Sequence, residues 1–206
     1  MNLNNYEIII LDCDGVVFDT NQKKIKLFKD CLSDYDQKSI AEFINYLKLN
    51  FGKTRKEIFN FFFKNIIQKD LSRIDEFLNK YSNQCIKMYQ KEDYTQGFVE
   101  FRKNYSDKIF YLVSGSDQKE LRKIFSSKNI FNLKNILGSP INKNKHFERI
   151  KANNPHKKIL SIGDSLHDYE VSKENKIDFL FMKNFSLLAD IKTFDFQTIN
   201  CFEDIS

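Results

Sequence analysis

The sequence predicts an α/β fold, a parallel sheet interrupted after its first strand by an α-helical insert, on three observations. Short aliphatic runs recur, each followed by a helix-like polar pattern. The later runs are separated by about the length of one crossover helix, as parallel pairing requires. After the first run, roughly seventy residues carry helical spacing with no convincing strand, too many for a crossover.

The first strand is Glu7–Leu11, a nearly continuous apolar run that ends in Asp12-Cys13-Asp14-Gly15. From about Asn21 to Glu92, Phe28, Leu32, Ile40, Phe43, Ile44 and Leu47, then Ile58, Phe61, Phe62 and Ile66, recur at spacings of three and four. That period marks amphipathic helices. A further helix is expected from Ser72, as N-cap, through Ile74, Phe77, Leu78, Tyr81 and Cys85. We read residues 18–92 as a helical cap domain over the carboxyl ends of the strands, where open α/β sheets bind ligands. The remaining strands are Lys108–Val113, the weaker Asn135–Leu137, Lys158–Ile162 and Asp178–Met182. Residues 1–17 and 93–206 then form a Rossmann-like α/β core domain.

A chain of 206 residues suffices for one core domain with a smaller inserted one. With 41% hydrophobic and 30% charged residues it falls among soluble globular proteins. The net charge of +5 is spread along the chain, and the clusters Lys23-Lys24-Ile25-Lys26 and His156-Lys157-Lys158 read as solvated helix faces. No nucleic-acid partner is expected, although a basic surface suits a small phosphorylated metabolite. Cys13, Cys31, Cys85 and Cys201 form no CxxC pair and read as reduced, buried thiols. Neither a basic-then-apolar leader nor a run of membrane-spanning length is present, so the expectation is a cytoplasmic chain without a membrane partner, monomeric or homodimeric.

Three strand ends finish in small polar or acidic groups: Asp12-Cys13-Asp14-Gly15, Ser114-Gly115-Ser116 and Gly163-Asp164-Ser165. In a parallel sheet these ends share one edge and converge on one crevice. Asp12, Asp14, Asp164 and Asp168 concentrate negative charge there, which calls for a hard divalent cation with oxygen ligands, Mg²⁺. Taken singly, each acid or hydroxyl has a structural reading as a turn or cap residue. Capping alone does not place all of them on the same edge.

Together with a lysine after Gly138-Ser139-Pro140, and with Gly163-Asp164-Ser165-Leu166-His167-Asp168, these residues resemble, in order and spacing, the four motifs of the haloacid dehalogenase-like (HAD) hydrolase superfamily, in its phosphoglycolate phosphatase and β-phosphoglucomutase group. The resemblance implies a Mg²⁺-dependent phosphatase acting on a sugar phosphate or phosphoglycolate. Asp12 would be the nucleophile that forms an aspartyl-phosphate. Asp14 would protonate the leaving oxygen and then deprotonate the attacking water. Relatives that act on halides or phosphonates lack this second acid, so its presence argues for ester chemistry.

The resemblance further implies that Ser114 binds a phosphoryl oxygen, helped by the N–H groups of Gly115 and Ser116 at a helix start. The lysine that neutralises phosphate is Lys143 or Lys145, and the register of Phe147 and Ile150 favours Lys143. Asp12, the Asp14 backbone carbonyl and Asp164 would hold Mg²⁺, with Asp168 and Ser165 in support. His167 reads as solvated or supporting, and His146 and His156 as surface residues. In the insert, Asn50-Phe51-Gly52-Lys53-Thr54-Arg55-Lys56 interrupts two helical patterns, so Lys53 or Arg55 could reach the substrate. A phosphosugar mutase is the alternative within the same group. A catalytically inactive binding module is the other alternative, and the full set of reactive residues argues against it. Phe18-Asp19-Thr20 departs from the Asp-Ser-Glu ending common among close relatives and leaves the substrate open.

Overall fold

Ile8–Leu11 form β1, and all four side chains are buried. The computed structural model describes residues 3–188 and 194–205. Five more strands join β1 in one parallel sheet: β2 (Ile109–Asp117), β3 (Ile136–Ser139), β4 (Ile159–Gly163), β5 (Asp178–Met182) and β6 (Gln197–Ile199), in the order β3-β2-β1-β4-β5-β6. β1 is flanked on both edges, with Ile8 opposite Ile109 on one side and Ile159 on the other. A strand covered on both faces reads as an unbroken apolar run, which is why β1 is so plain in the sequence. Ile8 and Ile10 pack with Phe147, Ile150 and Val171 on one face. Ile9 and Leu11 join the large cluster on the other, which continues into the insert. The strand order reverses between β1 and β4, which makes a crevice at their carboxyl ends.

Four helices follow β1: α1 (Asn21–Cys31), α2 (Gln37–Leu49), α3 (Arg55–Phe61), which runs on into a single π-helical turn at Phe62–Ile66, and α4 (Ile74–Gln90). Local capping sets their starts. Asp36 accepts from the Ser39 N–H at the start of α2, and Thr54 forms a reciprocal capping box with Glu57 at the start of α3. Ser72 is not the cap of α4. Its N–H and hydroxyl both turn back to the Asp70 carboxylate, and the helix begins after Arg73. The insert has an aromatic interior, in which the Phe28 ring lies 4.1 Å from Tyr81, 5.1 Å from Phe59 and 5.8 Å from Phe43. Its two connections run side by side: Phe18 bridges to Tyr94, and the Thr95 N–H donates to the Val17 carbonyl at 2.9 Å.

The chain then forms α5 (Phe98–Asn104), β2, α6 (Gln118–Ser126), β3, α7 (Lys143–Ala152), β4, α8 (Leu166–Glu174), β5 and β6. Two features differ from the sequence reading. β6 was not expected, because two of its three residues are exposed and no apolar run marks it. β2 continues through Ser114-Gly115-Ser116, so these residues end a strand and do not start a helix; α6 starts at Gln118, capped by Asp117. Between Val113, opposite Leu137, and Asp117, opposite Ser139, β2 advances four residues while β3 advances two. Such a bulge re-aims side chains, and here it lies at the site. His146, expected at the surface, is buried with its Nε2 3.0 Å from the Gly138 carbonyl. Among the described residues no helix is long and apolar enough to cross a membrane.

Candidate active site

Beyond β1 the chain turns sharply at Gly15, whose φ of +77° favours glycine and whose missing side chain leaves room for the Asp164 carboxylate and the Asn21 amide. The turn holds Asp12 and Asp14 at the sheet edge, both buried. Lys143, the first residue of α7, reaches across to donate to Asp12 Oδ1 at 2.7 Å and Asp168 Oδ1 at 2.5 Å. Lys145 turns outward to Glu148; its side chain is 57% exposed, against 1% for Lys143. The structure therefore places Lys143, not Lys145, in the site. The remaining oxygen of Asp168 accepts the Ser165 hydroxyl at 2.5 Å and its N–H at 3.2 Å, so one carboxylate both caps α8 and grips the lysine.

The three carboxylates of Asp12, Asp164 and Asp168 bring one oxygen each within 4.8 Å of one another. Burial pushes Asp12 up to about 7 against the pull of Lys143, with Asp168 and Asp14 adding to the rise. Burial also pushes Asp164 well above the usual range, with Asp12 and Asp168 adding to it. Asp164 Oδ2 accepts from Asn21 Nδ2 at 2.5 Å, whereas Asp164 Oδ1 is buried with no partner among the described residues. An orphaned carboxylate oxygen beside two further acids has the donor chemistry of a hard divalent cation. The residues present thus fit Mg²⁺.

Asp14 is held quite differently. Its Oδ1 accepts from the Thr20 hydroxyl at 2.5 Å and the Tyr89 hydroxyl at 2.6 Å, and its Oδ2 accepts from Lys24 Nζ at 2.5 Å. Burial alone would raise the Asp14 carboxyl, but the Lys24 charge and these hydrogen bonds outweigh it and hold the group below the ordinary carboxylate range. Two neighbouring acids are therefore driven apart, one up and one down, a pattern typical of acid–base sites. Lys24 is buried, contrary to the surface reading of its cluster. The signal was its place on the inward stripe of α1, with Asn21, Ile25, Phe28 and Cys31. Thr20, Asn21 and Tyr89 also escaped the sequence reading.

Ser114 is buried and accepts the Ser116 N–H at 3.1 Å. Asp12, Asp14 and Ser114 face a cavity of about 30 Å³, room for a water or two, roofed by Asn50, Phe51 and Lys53 of the insert. Lys53 Nζ donates to Asn50 Oδ1 at 2.6 Å over this cavity. Arg55 also borders it, but its guanidinium is engaged by Glu120 of α6 through two bonds, 2.9 and 2.7 Å. His167 is half-buried; burial and the Lys143 charge push it to about 4, so it is neutral at pH 7.

The Gly52 and Lys53 carbonyls press on Gly115 so closely that a Cβ there would lie closer than 3.0 Å to both. Gly115→Ala is therefore expected to lift the roof while leaving the core folded. Measured in steady state, it should raise KM and lower kcat together, by roughly tenfold or more in kcat/KM. An unchanged kcat/KM would show that closure on Gly115 is not used in turnover.

No family model matches the sequence, and no curated protein does. Solved structures do resemble the fold. A predicted phosphoglycolate phosphatase from Haemophilus somnus superposes with a TM-score of 0.75 at 14% identity, covering 97% of this chain and 96% of that one. CbbY from Rhodobacter sphaeroides, solved in complex with phosphate, gives 0.72 at 12% identity over 96% and 95%. YfnB from Bacillus subtilis, described as a HAD-hydrolase and solved bound to magnesium, gives 0.67 at 17% identity over 97% and 96%. At these identities the likeness is one of fold, and by it the chain has the fold of the haloacid dehalogenase-like hydrolases.

Proposed function

We propose that the protein is a Mg²⁺-dependent phosphoric monoester hydrolase acting on a small phosphorylated metabolite, a sugar phosphate or phosphoglycolate, through an aspartyl-phosphate on Asp12. The observation that carries this reading is the pairing of Asp12, gripped by Lys143, with Asp14 two residues on, both facing the same roofed cavity. An Asp12 oxygen bonds to phosphorus while the ester P–O bond breaks, and the departing oxygen takes a proton from Asp14. In the second step Asp14, now a carboxylate, takes a proton from water as the water oxygen bonds to phosphorus and the Asp12–phosphorus bond breaks. Because Lys24 and the hydroxyl donors hold the resting Asp14 as a carboxylate, the proton it passes on enters with the substrate as the phosphate monoanion, and the second step returns Asp14 to the protonated form it had in the complex. Ser114 and Lys143 are assigned to the phosphoryl oxygens, Gly115 to the passage between strand end and roof, and residues 18–92 to the role of cap. Asp12, Asp164 and the Asp14 backbone carbonyl would hold Mg²⁺, which supplies positive charge against the phosphoryl group and the crowded carboxylates.

Lys53 is the residue assigned to a second polar or anionic group of the substrate, since Arg55 is already engaged by Glu120. The test is release of inorganic phosphate from p-nitrophenyl phosphate and a panel of sugar phosphates, phosphoglycolate and nucleotides. No release from any ester in Mg²⁺ would sink the hydrolase reading. A phosphosugar mutase is the second reading, favoured by the closeness of the Gly52–Lys53 roof to Gly115, since a mutase must keep bulk water from its phosphoryl intermediate. Phosphorus NMR of the products separates the two: an isomerised sugar phosphate without free phosphate identifies the mutase.

Metal addition provides a further test. Asp12 and Asp164 have folded-state values above their unfolded ones, so their charged forms cost stability. The cost begins above the unfolded carboxylate value near 4 and, for Asp12, is fully present above about 7. Millimolar Mg²⁺ offsets it and is expected to raise the thermal unfolding midpoint by several degrees at pH 8, and by much less at pH 5. Equal shifts at the two pH values would argue against a site built on these acids.

A further inference from the structure

We infer that Lys24 is the positioning residue for Asp14, fixing the orientation from which that carboxyl group exchanges protons with the ester oxygen; the inference rests on the hydrolase reading above. Lys24 projects from the buried stripe of α1, beside Asn21, Ile25 and Phe28. A buried ammonium is costly unless it is paired and hydrogen-bonded. Here Nζ donates to Asp14 Oδ2 at 2.5 Å and to the Ser116 hydroxyl at 2.7 Å, with the Tyr89 ring centroid 5.5 Å away. The pairing ties Asp14 to the bulged end of β2, beside Ser114.

The geometry explains why neutral donors alone would not suffice. A carboxyl group rotates easily about its last torsion, which has only a broad two-fold preference. Thr20 and Tyr89 both donate to Oδ1. Lys24 is the cation on Oδ2, and the Ser116 hydroxyl lies 3.4 Å from the same oxygen. With Lys24 present, both oxygens are anchored and the rotation is blocked; without it, one end of the carboxyl group is almost free. Proton transfer depends on alignment, so this residue acts on catalysis through Asp14 and needs no contact with the substrate.

A role through the general acid has a signature that a purely structural role lacks. Esters with poor leaving groups need a proton from Asp14, whereas dinitrophenyl phosphate departs without one. The value of kcat/KM, which reports events up to the first P–O cleavage, is measured over alkyl, p-nitrophenyl and dinitrophenyl esters for the wild type, Lys24→Met, Lys24→Gln and Lys24→Arg, with folding checked by circular dichroism. Lys24→Met is expected to lower the alkyl-ester value by roughly 10²-fold or more and the dinitrophenyl value by less than about tenfold. Lys24→Arg should recover part of the alkyl-ester rate. Should Lys24→Met not fold, Lys24→Gln, which keeps a donor without the charge, is read for the same selective loss. An equal loss across all esters, in whichever of the two folds, overturns the positioning role. If the wild type turns over no ester, the hydrolase reading falls and takes this inference with it; turnover with unchanged ester selectivity in the variants overturns this inference alone.

Discussion

Asp12→Asn is expected to abolish phosphate release, lowering turnover by roughly 10⁴-fold or more, because an amide oxygen cannot attack phosphorus and, among the described residues, the neighbouring carboxylates have other tasks, Asp164 that of holding the metal. Asp168 is committed to Lys143 and Ser165, and Asp14 to its four donors. The substitution keeps the side-chain volume and leaves an oxygen to accept from Lys143. It also removes a charge that burial disfavours. The unfolding midpoint should therefore stay within a few degrees of the wild type, and a melting curve alongside the phosphate assay distinguishes lost chemistry from lost fold. Retention of a tenth of the wild-type rate would reassign the nucleophile.

Lys143→Met is expected to injure both stability and turnover. Its ammonium donates to both Asp12 and Asp168 and is buried. Burial by itself would lower the Lys143 value, yet the two carboxylates raise it well above the ordinary lysine range, which shows how tightly the charges hold one another. Removing one partner of a buried pair costs about 3–5 kcal/mol. At roughly 2–4 °C per kcal/mol for a chain of this size, the midpoint should fall by about 10 °C in metal-free buffer. Mg²⁺ should restore part of the loss by supplying positive charge to the same acids. Turnover should fall by roughly 10²–10³-fold even below the melting range, since charge opposite the transferring phosphoryl group is lost. A metal-free midpoint equal to that of the wild type would refute the account of how these acids are held.

The sheet was legible where burial on both faces wrote a continuous apolar run, as in Ile8–Leu11. It was illegible at β6, whose outward residues carry no such mark. The acids of the site could be read because each stands at a strand end or in the first turn of a helix, positions fixed by local pattern. The bulge at Ser114–Ser116 could not, since the same small polar residues suit a strand end or a helix start and only the register against β3 decides. Lys24 was hidden by its neighbours: within a basic cluster it reads as solvated, and only its alignment with Ile25 and Phe28 puts it inside. Tyr89 lies 75 positions from Asp14 and meets it only because α4 folds back over the sheet edge. Long-range meetings of this kind leave no local trace.

The paired connections of the insert have a mechanical consequence. Phe18 and Tyr94 lie bridged to one another, so both chain connections between the helices and the sheet pass through one narrow line, like a hinge, while Arg55 and Ser82 latch the insert to Glu120 of α6. A door moves least beside its hinge and most at its free edge. Lys24 and Tyr89, each a few residues from that line, would stay beside Asp14 while the edge carrying Gly52 and Lys53 sweeps through the widest arc. Any opening about that line would therefore leave the contacts to Asp14 in place and part the Gly52–Lys53 edge from Gly115 first.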